Sequence, residues 1–124
     1  MFYSKKRMKK DILLTKADDY AHQVYKLSMS LPKHELFGLT SQMRRAAISV
    51  PLNIIEGFAR QSIKSQIQFL HVSYGSLKES QYLIVFAMDE NLINKANTET
   101  AYDTGEEIAR MLWSKLRTLK ERVE

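Results

Sequence analysis

The chain has 124 residues with no cysteine, four glycines and two prolines, which suits one domain, excludes disulfides and thiolate metal sites, and argues for a few long helices over many strands. Its net charge of +5 is a property of one end: Lys5, Lys6, Arg7, Lys9 and Lys10 stand in the first ten residues with no acid among them. The rest of the chain balances its bases against its 14 acids, so a uniformly basic nucleic-acid-binding body is excluded, while a local basic patch stays open.

Residues 1–12 read as a basic, flexible arm and residues 13–124 as a single domain. No run of about 18 uncharged apolar residues is present, so no membrane span is expected. Ile12-Leu13-Leu14 is too short for a signal-peptide core. The expected location is cytoplasmic.

A first helix is predicted from about Leu13 to Leu31, with Tyr20, Val24, Leu27 and Leu31 on one face. Pro32 ends it, because the residue before a proline is pushed out of the α region. Residues 32–38 read as a loop. A second helix starts at an N-cap of Thr40 or Ser41 and runs to about Arg60, with an expected kink at Pro51. The third, from about Ser62 to Asn91, carries Ile63, Ile67, Leu70, Tyr74, Leu77, Gln81, Ile84 and Met88 at alternating steps of four and three. That is the heptad seam of helices packing knobs into holes. Residues 92–97 read as a loop. A fourth helix, capped by Asn97 or Thr98, runs to about Val123 with its apolar stripe on Ala101, Gly105, Ile108, Leu112, Leu116, Leu119 and Val123. Acids crowd its first half and bases its last turns, as the helix dipole favours. The predicted fold is an all-α, up-down antiparallel four-helix bundle.

The second helix differs from the others. At 100° per residue, Leu39, Met43, Ala46, Ala47, Val50, Ile54 and Phe58 form one apolar arc, and Ile48, Leu52, Ile55 and Ala59 form another on the opposite side. A polar stripe of Gln42, Arg45, Ser49, Asn53, Glu56 and Arg60 runs between them. A surface helix of a monomeric bundle needs one apolar stripe. Two stripes imply either a subunit interface through Ile48, Leu52, Ile55 and Ala59, or a central helix wrapped by the other three.

Catalytic constellations are weak. Tyr74 and Lys78 spell Y-x-x-x-K, but the glycine fingerprint of a dinucleotide fold is missing, and Tyr74 falls on the seam as a core residue. His22, His34 and His71 are scattered and belong to no metal motif. No nucleophile elbow or phosphate-cradling glycine loop occurs. No enzyme activity, metal or cofactor is expected. Candidate contacts to phosphates are Lys5, Lys6, Arg7, Lys9 and Lys10 in the arm and Arg44, Arg45 and Arg60 on the second helix. These arginines equally suit a neighbour's carboxylate or backbone.

Leu31-Pro32, Glu35, the run from Gly38 to Pro51 and Asn53-Ile54-Ile55-Glu56-Gly57 resemble the four-helix bundle family encoded in intervening sequences of bacterial 23S ribosomal RNA genes. Phe69-Leu70, Gly75-Ser76-Leu77-Lys78-Glu79, and Ile108, Met111, Leu112 and Leu116 extend the likeness over about residues 17–119. The resemblance implies a homopentameric ring of bundles, with Arg44, Arg45 and Arg60 on the helix that contributes to its positively charged surface. It also implies kinship with the accessory protein of diversity-generating retroelements, and so RNA, DNA or a protein such as a reverse transcriptase as partner. The family commonly has alanine where Ile55 stands, a departure at a small-residue contact. The expected function is a non-enzymatic, homo-oligomeric, nucleic-acid-associated binding protein. The alternative is a protein-interaction scaffold without a nucleic-acid ligand.

Overall fold

The computed structural model describes residues 11–123. Four helices form the fold: α1 (Ile12–Ser28), α2 (Leu39–Phe58), α3 (Ile63–Asp89) and α4 (Lys95–Val123), with a single 3-10 turn at Lys33–Glu35 between the first two. No strand occurs among the described residues. Each helix packs on its neighbours in the chain, and α4 closes against α1. Short connections between successive helices force the up-down antiparallel order. The chain is an all-α four-helix bundle.

The boundaries follow local chemistry. Asp11 caps α1, its Oδ1 accepting from the Leu14 amide at 2.9 Å. Ser62 caps α3, its Oγ accepting from the Ser65 amide at 3.2 Å. Asn91 adopts a left-handed φ of 61° and stops α3 two residues after its last helical position, a role asparagine tolerates better than most.

Several helix ends differ from the sequence expectation, and three of them have a clear local cause. The first helix ends at Ser28 rather than Leu31, because the amides of Met29, Ser30 and Leu31 turn back to carbonyls three residues earlier as the chain tightens ahead of Pro32. The second helix starts at Leu39 behind Gly38, so Thr40 is an inward-facing helical residue and not a cap. The fourth starts at Lys95: Asn94 Oδ1 accepts from the Asn97 amide at 2.9 Å, and Thr98 is buried with its hydroxyl bonded to the Asn94 carbonyl. The cap lies three residues before the expected Asn97.

The core is continuous through all four helices. Tyr20 and Val24 of α1, Met43, Val50 and Ile54 of α2, Leu70, Leu77 and Ile84 of α3, and Ile108, Leu112 and Leu116 of α4 are fully buried. On α3 the seam residues Ile63, Ile67, Tyr74 and Met88 are only half-buried against it. Pro51 sits inside α2, and the helix continues through it. Ser73 of α3 donates to the Val50 carbonyl at 2.8 Å, tying the two helices together where the ladder loses an N–H.

Polar contacts fix the register between helices. Ser49 and Ser76 hydroxyls bond at 2.9 Å between α2 and α3. Between α1 and α3, the Tyr20 hydroxyl and Ser80 Oγ meet at 2.6 Å. Burial raises the Tyr20 pKa above the ordinary tyrosine value, the Ser80 bond opposing it only in part. The neutral phenol is therefore the form the fold favours. That stability is fully present below the unfolded tyrosine pKa of about 10 and is lost as pH rises above it. Tyr20→Phe is expected to flatten the alkaline fall in unfolding free energy, measured by urea titration between neutral and strongly alkaline pH. An unchanged alkaline slope would place the titration elsewhere.

Gly105 of α4 gives Gln81 its place. A Cβ there would come within 2.7 Å of Gln81 Nε2 and 3.2 Å of Tyr20 Cε1. The Gln81 amide donates to the Tyr102 carbonyl and to Glu106, so it cannot swing away without losing bonds. Gly105→Ala gains helix propensity but is expected to lose about 1–2 kcal/mol net through overpacking. A stabilised variant in urea titration would show that Gln81 can move freely.

Candidate assembly surface and nucleic-acid interface

The two apolar arcs of α2 have different fates. Met43, Ala46, Ala47, Val50 and Ile54 of the first arc are buried. Phe58, expected in the same arc, is 38% exposed. It lies beside Asp11, Ile12 and Leu13, with Lys115 Nζ 5.7 Å from its ring centre.

In the second arc, Ile48 and Leu52 are exposed, Leu52 by 54%. Ile55 is half-buried, and Ala59 is exposed one residue beyond the helix. The arc is not wrapped by other helices, because α2 packs on α1 and α3 and makes no substantial contact with α4. That disposes of the central-helix alternative. Ile48, Leu52 and Ile55, with Pro51, form one wall of a groove of about 410 Å³. Ala21 and Tyr25 of α1 form the other, and His22 Nε2 and Asp18, 3.4 Å apart, stand on its rim. Ala59 does not reach this groove. The α1 wall was missed in the sequence reading. Its signal is Asp18, Ala21 and Tyr25 at steps of three and four, beside the dominant stripe of Tyr20, Val24 and Leu27.

The helix-two arginines are not gathered into one patch within a chain. Arg44 is half-buried; its Nε donates to Ser28 Oγ at 2.7 Å and its guanidinium lies 4.3 Å from the Tyr25 ring centre. It therefore clasps α1 to α2. Arg60 pairs with Glu56 at 3.1 Å and covers the Phe69 ring at 4.6 Å. Arg45 is exposed and makes no ion pair among the described residues. Arg45 and Arg60 stand fifteen positions apart in the chain, Arg60 two residues past the end of α2. Lys5, Lys6, Arg7, Lys9 and Lys10 lie outside the described residues.

The remaining candidates stand in packing and pairing contacts or apart at the surface. Tyr74 is half-buried between α3 and α4, its ring 6.0 Å from Trp113, and Lys78 pairs with Glu106 at 3.0 Å. The hydrogen bond from Lys78, helped by Gln81, holds the Glu106 carboxyl below its ordinary range. His34 and His71 are exposed at separate places. Among the described residues, no three His, Asp or Glu side chains converge as a metal site. No described helix is long and apolar enough to cross a membrane.

Residues 9–114 match the 23S rRNA-intervening sequence protein family. The chain belongs to that family. A crystal structure of a protein of unknown function from the S23 ribosomal protein family of Bacteroides thetaiotaomicron is similar, with a TM-score of 0.78 at 22% identity over 85% of this chain and 98% of the other. At that identity the likeness supports the four-helix fold. No curated protein is similar to the chain. Membership in the 23S rRNA-intervening sequence protein family agrees with the residues that carried the resemblance, above all the stretch from Gly38 to Gly57 on and before α2.

Proposed function

We propose that this member of the 23S rRNA-intervening sequence protein family is a non-enzymatic, cytoplasmic binding protein. It works as a homo-oligomer, with a pentameric ring as the form its family resemblance implies, and associates with nucleic acid. The observation that carries the reading is the exposed apolar arc Ile48, Leu52 and Ile55 on a helix whose opposite arc already fills the core. A folded monomer has no use for this second arc, and solvent exposure of a contiguous apolar surface rimmed by polar residues marks an interaction site.

Support for nucleic acid comes from the five bases at residues 5–10 and from Arg45. Assembly repeats each of them around a ring, turning modest charge into a strong field. Fluorescence anisotropy with structured RNA and duplex DNA across a salt series tests this on the full chain and on a chain starting at Asp11. The expected result is binding that weakens steeply with salt, in proportion to the phosphates neutralised, and falls when the arm is removed. Binding that survives removal would shift the role to Arg45 and its neighbours. An absence of binding at low salt by either chain would leave a protein-interaction scaffold as the better reading, one the balanced charge of the bundle body already suits.

A further inference from the structure

The outer corner of α3 carries a second apolar surface. Val72, Tyr82 and Phe86 are exposed there, Tyr82 by 67% and Phe86 by 43%. The rings of Tyr82 and Phe86 lie 6.2 Å apart. Their spacing, with Gly75 and Glu79, places all five on the side of α3 opposite the Leu70, Leu77 and Ile84 seam. Gly75 weakens a helix interior, yet a Cβ on it would meet no atom of its own chain within 4 Å. Nothing inside the protomer explains that glycine, whereas close approach by another chain would.

The geometry points to a head-to-tail contact in which this α3 ridge of one copy seats in the α1–α2 groove of the next. The inference rests on the homo-oligomer reading above and names the surface that fills its groove. Three relations support it. The first is direction. The groove lies between the α1 and α2 corners of the bundle and the ridge on the α3 corner, so they face roughly 90–135° apart, the range in which head-to-tail rings of about four to eight copies close.

The second relation is height. Rotation about an axis parallel to the bundle leaves every residue at its own level. The Ser49–Ser76 and Ser73–Val50 bonds set α2 against α3. Counting along the helices from these bonds puts Val72 level with Leu52 and Gly75 level with Ile48 and Ser49. The Val72–Gly75 part of the ridge thus stands level with the Ile48–Leu52 wall of the groove.

The third is charge. The same counting puts Glu79 level with Arg45. In a ring of this kind the side of the ridge next to its own α2 meets the α2 wall of the neighbour's groove. Val72 then meets Leu52 and acidic Glu79 meets exposed Arg45.

The absence of cysteine from the chain makes a cross-linking test clean. Leu52→Cys and Val72→Cys are made as separate full-length variants, mixed in denaturant, refolded together and treated with a short bis-maleimide. Circular dichroism verifies folding, and Ile48→Cys with Gly75→Cys serves as a second pair. A covalent two-chain product from the mixture, with none from either variant alone, is the expected result. A product from Leu52→Cys alone would mean that grooves face each other, and would overturn the ridge while keeping the groove as an interface. No product from either mixture, with the unmodified chain oligomeric by light scattering, would overturn the pairing. An unmodified chain of single-protomer mass would remove the homo-oligomer itself and the pairing with it.

Discussion

Leu52→Asp is expected to reduce the particle to a single folded chain of 14.4 kDa with its helix content intact. In an isolated protomer the position is more than half exposed and the helix backbone tolerates aspartate, so folding loses little. In an assembly the same side chain is desolvated among Tyr25, Ile48 and Pro51. A buried, unpaired carboxylate costs several kcal/mol at each interface it enters, and a ring contains that interface once per subunit. Each subunit therefore pays the penalty, and no assembled form avoids it. Multi-angle light scattering with circular dichroism on the same sample reads both quantities. A loss of helix signal would move Leu52 into the fold, and an unchanged mass would remove it from any interface.

Leu112→Ala should act in the opposite way, weakening the fold and sparing the assembly surface. Leu112 is fully buried with Leu70, Leu77 and Ile108 in the shared core. Truncation removes its transfer free energy and leaves a cavity that α4, tied to α3 by the Gln81–Tyr102 and Lys78–Glu106 bonds, cannot easily close. The expected cost is about 2–5 kcal/mol. Because assembly couples to unfolding by mass action, urea titration is best made in the Leu52→Asp background, where one chain unfolds alone. Leu36→Ala, at an exposed position outside the core, serves as control and should change stability by less than about 0.5 kcal/mol. Equal effects at the two positions would show that the core is misassigned.

The number of helices and their core faces were legible because long segments repeat a single period. The alternating steps from Ile63 to Met88 and the buried run from Ala101 to Leu119 need only helix geometry to be read. Helix ends were less legible, since they turn on competing short-range bonds. Asn94, Asn97 and Thr98 are all able to cap, and only the folded chain shows Asn94 doing so. Phe58 was placed in the core because a wheel shows only direction; at the last turn of α2 its ring stands part-exposed beside Lys115.

The exposed second arc of α2 was visible as a pattern, and the structure shows that it lines a groove through Ile48, Leu52 and Ile55 but not Ala59. The α1 wall at Ala21 and Tyr25 escaped because it borders a stronger stripe. The arginines read as one candidate set, yet Arg44 is spent on Ser28 and Tyr25 and Arg60 on Glu56 and Phe69. Which charges remain free depends on contacts between helices that the linear pattern does not contain.

The central claim is that the outer surface of α2 joins copies of this chain, and the mass of the unmodified full-length chain in solution tests it most directly. Light scattering across a dilution series is expected to give a discrete multiple of 14.4 kDa, five-fold for the ring the family resemblance implies. A constant mass of one chain up to high concentration would contradict it.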